Sequence, residues 1–130
     1  MAALDLGTRR IGVAVSDELG VSVRPLGVVP RIGAKRDAAA LREMLAGLDI
    51  GLLLVGLPLL ESGDEGESAA RCREQGEDLA RRLQLPLEFT DESDTTLEAQ
   101  RRAGSSRTDI DAIAAAVILE EWLARREAGA

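Results

Sequence analysis

The chain offers few kinds of side chain that can do chemistry. Its 130 residues contain no histidine, no tyrosine and one cysteine, Cys72; the aromatics are Phe89 and Trp122. Without histidine, a Cys/His zinc site and every histidine-based triad or dyad are excluded. With two aromatics, a base-stacking platform is not expected. Carboxylates, hydroxyls and arginines remain. Carboxylates usually work through a hard divalent cation held by oxygen.

Acids stand at three places that a bland surface would not explain. Asp5 lies between Leu4 and Leu6, inside what reads as a buried strand. A charge there is costly unless something pairs with it. Its neighbours two residues away, Ala3 and Gly7, are small and leave room beside the carboxylate. Asp91 and Glu92 fall just past the carboxyl end of a fifth strand, where open α/β sheets bind ligands. Asp111 opens an apolar last helix. Each also has a plainer reading. Asp5 suits a turn carboxylate bonded to Thr8 or to backbone amides. Asp91-Glu92 suits a solvated loop. Asp111 suits an acid facing a helix N-terminus. Spacing alone does not show that the three converge on a metal.

The elements that must position these acids follow from periodicity. Residues 2–6 and 11–15 read as a β-hairpin closed by a turn at 7–10; the large-small alternation of 11–15 suits a half-buried strand. A third strand spans 21–29, and Pro25 within it indicates an edge or a bulge. A helix begins near Asp37, with Leu41, Met44, Leu45 and Leu48 on one face. The apolar run 50–57 suits a strand buried on both faces. After an acidic loop at 58–66 come a helix at 67–84 and a short strand at 87–90. Thr95 to Glu98 fits a capping box, so a helix starts there and stops near Gly104. The last helix runs from about 108 to 126. The order β-β-β-α-β-α-β-α-α predicts one α/β domain over residues 1–130. Its mixed five-stranded sheet has three antiparallel strands, then alternating helices and strands.

Charge and composition bound the partners. Sixteen basic against 23 acidic residues give a net charge of −7, which argues mildly against nucleic acid. The arginines nevertheless cluster as Arg9-Arg10, Arg81-Arg82, Arg101-Arg102 and Arg125-Arg126, so a local basic patch is compatible with an acidic remainder. The last pair suits a solvated helix end. No apolar run approaches the ~20 residues of a membrane span. No signal peptide is expected, and a lone cysteine points to the cytoplasm.

Four motifs carry a family resemblance. ALDLGTRRIGVA at 3–14 resembles the opening motif of the YqgF/RuvX family. VGLPL at 55–59 is similar to its strand-to-loop motif. DESDTTLEA at 91–99 resembles its Asp-Glu-Arg-x-Thr-Thr-x-Glu-Ala stretch, and IDAIAAAVIL at 110–119 its last-helix motif. The likeness spans essentially the whole chain. These bacterial proteins are described as pre-16S ribosomal RNA nucleases and as Holliday junction resolvase-like nucleases.

The resemblance implies an RNase H-like fold and a metal-dependent nuclease using Mg²⁺ or Mn²⁺. It implies catalytic and metal-ligating roles for Asp5, Glu92 and Asp111, with Asp91 able to share that of Glu92. Arg9, Arg10, Arg101, Arg102 and Arg107, close to these acids in sequence, are candidates for nucleic-acid phosphates. The chain departs from the family at Ser93, where an arginine is expected, and in its acid-rich loop after Leu59. The implied substrates are precursor rRNA or branched DNA, with the ribosome a further partner and a monomer or homodimer as the assembly. Two rivals stand beside this reading. One is a weakly catalytic or non-catalytic RNA- or ribosome-binding module on the same fold. The other is a phosphate loop of the actin-like ATPase and sugar-kinase kind, which needs a second domain and so more chain.

Overall fold

The computed structural model describes residues 1–92, 99, 102 and 107–129. Five strands are β1 (Ala2–Leu6), β2 (Arg10–Ser16), β3 (Val23–Pro30), β4 (Leu53–Leu57) and β5 (Leu87–Asp91). Three helices are α1 (Ala34–Met44), α2 (Glu67–Leu83) and α3 (Arg107–Gly129). The expected helix at 95–104 lies outside the described residues, except that Ala99 and Arg102 are helical.

The strands form one sheet in the order β3-β2-β1-β4-β5. β2 pairs antiparallel with both β1 and β3, while β4 runs parallel to β1 and β5. This is the mixed sheet read from the sequence. Pro25 sits in an edge strand, as expected. The register there slips by one residue, with Gly27 opposite Val13 and Pro25 opposite Ala14, so Leu26 is the extra residue of a bulge. A proline can be tolerated at such a place because it has no N–H to give the ladder.

Residue alternation assigns the two faces. Leu4, Leu6, Ile11, Val13, Leu53 and Val55 point to one side and pack against Leu41 of α1 and Leu79 of α2. Ala3 and Leu54 point to the other, against Ile118, Leu119 and Trp122 of α3. Ala14 meets Ala115 and Ala116 there. β2 is therefore buried on both faces, not half-buried as its alternation suggested. Its small residues do not mark a solvent face; they admit a helix.

Two further boundaries differ from the sequence reading. α1 starts at Ala34, and Asp37 inside it is 4% exposed. Its Oδ1 accepts from the amides of Ile32 at 2.9 Å and Gly33 at 3.3 Å, so the carboxylate reaches back to hold the helix start. α1 also stops before Leu48. Gly47 adopts φ of 81°, which turns the chain away and leaves Leu48 at the surface.

Candidate active site

The parallel strands β1, β4 and β5 all end on the same side of the sheet, and a cleft of about 810 Å³ opens there. Asp5, Glu92 and Asp111 all line it. Three separate elements deliver them.

Asp5 comes from the penultimate position of β1, directly opposite Gly12 of β2. Alternation turns it to the α3 side with Ala3. Glu92 follows β5, and its amide donates to the Leu57 carbonyl at 3.1 Å, extending the β4–β5 ladder by one step. Asp111 lies in the first turns of α3. Gly12 and Gly56 allow the three to meet. A Cβ on Gly12 would lie 1.9 Å from the backbone oxygen of Asp111, so the start of α3 rests directly on the β2 backbone. A Cβ on Gly56 would lie 2.6 Å from Glu92 Oε2 and 2.7 Å from Ile118 Cδ1. Glycine at these two positions is a close-approach requirement.

The electrostatics are those of crowded acids. Asp5 and Glu92 lie within hydrogen-bonding reach of each other. Burial raises the Asp5 pKa, the Glu92 hydrogen bond opposes the rise, and the Asp111 charge adds to it. Glu92 is pushed up to about 9, first by burial and then by the charge of Asp5, the bond to it and the charge of Asp91. Near neutral pH the pair therefore holds a proton between two carboxyls. Glu92 Oε2 is buried and has no hydrogen-bond partner among the described residues. An unpaired buried carboxylate oxygen is costly and marks a place for a missing partner. Asp111 accepts a hydrogen bond from Arg10 Nε, an ion pair at the half-exposed cleft edge.

The donor set suits a hard divalent cation, since every donor is a carboxylate oxygen. Among the described residues no three acidic, histidine or cysteine side chains are already spaced to hold a metal ion together. Asp5 and Glu92 engage each other, and Asp111 engages Arg10.

The remaining residues expected at the site fall in different places. Asp91 ends β5, is exposed, and does not line the cleft. Its effect there is the charge that lifts Glu92. Arg9 is exposed in the β1–β2 turn, away from the cleft lining. Arg10 is on Asp111. Arg102 is exposed, and its Nη1 donates to Glu120 Oε1 at 2.7 Å. Ser93, Arg101 and the Arg107 side chain lie outside the described residues. Sequence reasoning overlooked Gly12 and Gly56, although a glycine inside a strand pattern is a known sign of close approach. It also overlooked Arg31 and Arg71, which do line the cleft. Neither is near an acid in sequence, so proximity along the chain could not find them.

A family model described as "RuvX: Holliday junction resolvase" matches residues 1–125. The chain belongs to the RuvX family. A relative from Anaeromyxobacter sp. (strain Fw109-5), named "Putative pre-16S rRNA nuclease", is 42% identical and aligns over 96% of each chain. A relative of the same name from Koribacter versatilis (strain Ellin345) is 39% identical over 95% of this chain and 86% of its own length. Among solved structures, T. thermophilus RuvC in complex with a Holliday junction substrate superposes with a TM-score of 0.58 at 17% identity. It covers 100% of this chain and 98% of that one. The RuvX chain thus has the RNase H-like fold, with the mixed sheet described above.

Proposed function

We propose that this RuvX-family chain is a divalent-metal-dependent endonuclease. It hydrolyses phosphodiester bonds in structured nucleic acid, with residues 1–130 acting as one nuclease domain. One observation carries the reading: the half-buried Asp5–Glu92 carboxyl pair, whose Glu92 Oε2 is buried and unpartnered among the described residues, lining a cleft that Asp111 also lines. Nothing in the packing of the core requires that arrangement, and it costs stability at neutral pH.

Asp5, Glu92 and Asp111 would hold Mg²⁺ or Mn²⁺, which supplies a Lewis acid for the phosphate and an activated water. The chain has no histidine to act as general base, so its own acids must move the protons. Glu92, with its pKa pushed up to about 9, is protonated at neutral pH and would have to give up that proton to serve as a ligand. Arg10 keeps the Asp111 carboxylate oriented at the cleft edge. Asp91 stays outside, in reach as a supporting charge.

The relatives' name favours the precursor of 16S rRNA as substrate, and the family model's description favours a four-way DNA junction. We place precursor rRNA first, because the 42% and 39% identical relatives carry that name. Work on rRNA fits a cytoplasmic protein, and no helix among the described residues is long and apolar enough to cross a membrane. Symmetric resolution of a junction would demand two active sites, hence a homodimer.

The test is a competition assay with Mn²⁺, offering a precursor-rRNA segment and a four-way junction to one preparation. Cleavage of the RNA in preference, lost in Asp5→Asn with an unchanged melting temperature, is the expected result. Full activity in Asp5→Asn contradicts the mechanism. Binding without cleavage under every divalent metal would favour the non-catalytic module.

A further inference from the structure

We propose that Arg31 and Arg71 form the phosphate-binding wall of the cleft and hold the backbone of the substrate strand against Asp5 and Glu92. This rests on the reading above that the cleft takes nucleic acid, and it adds the residues and the mode of recognition.

Most arginines whose positions are described are already engaged. Arg10 is paired with Asp111, Arg73 with Glu65, Arg81 and Arg82 with Asp78, and Arg102 with Glu120. Arg42 donates to the Arg82 carbonyl, Arg125 to Thr90, and Arg126 lies over the Trp122 ring. Arg31 and Arg71 differ in that they line the cleft itself.

Arg31 follows β3, and its Nη1 donates to the Gly7 carbonyl at 2.7 Å. Gly7 is two residues after Asp5, so this bond fixes the guanidinium beside the acid-bearing strand. A guanidinium has five N–H donors, and this bond uses one. Arg71 is on α2, exposed, with no hydrogen bond or ion pair to any described residue. Cys72 ties the two groups together. Burial raises its thiol pKa, Glu92 and Asp5 raise it further, and Arg31 and Arg71 both oppose them. The thiol thus feels both acids and both cations. Two cations lining the same cleft as the crowded carboxylates, one of them without a partner among the described residues, are what a polyanionic strand needs to come near acids that would otherwise repel it.

The cleft lining includes neither Phe89 nor Trp122. Phe89 sits under Arg73 and beside Gly76, and Trp122 is buried against the other face. Recognition therefore runs through phosphate and carries no base stacking. Binding should be salt-dependent and tolerant of sequence.

The experiment measures affinity for a short single-stranded RNA of mixed sequence across a salt series, using the full chain in an Asp5→Asn background so that no cleavage intervenes. Arg71→Ala should weaken binding about fivefold and reduce the slope of log affinity against log salt by about 0.7, the single-strand value for one lost phosphate contact. Arg71→Lys should keep most of the slope. Arg31→Lys keeps a charge and a donor for Gly7, and should weaken binding less than Arg71→Ala. Arg126→Ala, far along α3, should leave affinity and slope unchanged. Equal affinity and slope for Arg71→Ala and the parent, or no RNA binding by the parent, overturns the proposal. Arginine-dependent binding in a chain that never cleaves would leave this wall standing and defeat the nuclease reading. Cleavage by the Asp5-bearing chain that is indifferent to Arg71→Ala would do the reverse.

Discussion

The two faces of the sheet are built from different residues. The α1/α2 face is made of large side chains. Leu4, Ile11, Val13, Leu53 and Val55 are fully buried against α1 and α2. The α3 face also buries Leu54 against Ile118, Leu119 and Trp122, but around the acids it sets small residues, Ala3, Gly12, Ala14 and Gly56, with Ala115 and Ala116 of α3 against Ala14. Large side chains bury more apolar area and carry more of the stability. Small ones bring a helix close enough for Asp111 to approach acids from two strands. The face that packs most closely is therefore the one that can hold a costly carboxyl pair, while the other face supplies the stability that offsets it.

Substitutions can break that division. Leu41→Ala, on the large-residue face, should cost the most stability, about 2–5 kcal/mol, because Leu41 is fully buried. Urea titration would measure it, and the folded fraction should keep its specific activity. Gly12→Ala should cost less, about 1–3 kcal/mol, yet abolish cleavage, since the new methyl displaces Asp111. If Gly12→Ala cleaves normally, close approach is not what the small face is for.

Glu92→Gln tests the cost of the acid pair. The folded carboxyl keeps its proton up to about 9, whereas the unfolded one loses it near the ordinary glutamate value of 4.5. Between those values the folded state binds more protons, so stability must fall as pH rises. In the metal-free protein Glu92→Gln should flatten that fall and melt higher than the wild type at pH ~8, by a few degrees. Identical pH profiles in thermal melts would remove the cost from the account. The smallest effect belongs to the exposed surface. Arg73→Ala breaks a bidentate pair with Glu65 at 2.6 and 2.7 Å, both residues half-exposed. It should lower the melting temperature only slightly, and less at high salt.

How much of this was legible beforehand differs from element to element. The hairpin, the edge strand with Pro25 and the buried β4 followed from alternation and composition. Asp5 was conspicuous because its immediate neighbours are apolar. The face that β2 presents was not legible, because alternating small residues look alike whether they border solvent or a helix. The start of α1 was misjudged because Asp37 looks like a first residue, whereas it reaches back from inside the helix. The acid triad needed three distant segments, so no local pattern could bring it together; the family motifs nominated it. Arg71 lacked even that help. It is one arginine on a helix rich in them, and only the folded cleft separates it from Arg73, Arg81 and Arg82.

If Asp5, Glu92 and Asp111 work together on a divalent cation, as proposed, cleavage needs all three and the metal. The most direct test is the rate of precursor-rRNA cleavage as Mn²⁺ is titrated into the wild type, Asp5→Asn, Glu92→Gln and Asp111→Asn. A saturable rise is expected for the wild type, abolished by excess chelator. Each variant should lose more than ~100-fold in rate, with the folded structure retained. Cleavage that survives chelation, or variants that cleave at the wild-type rate, would contradict that joint role.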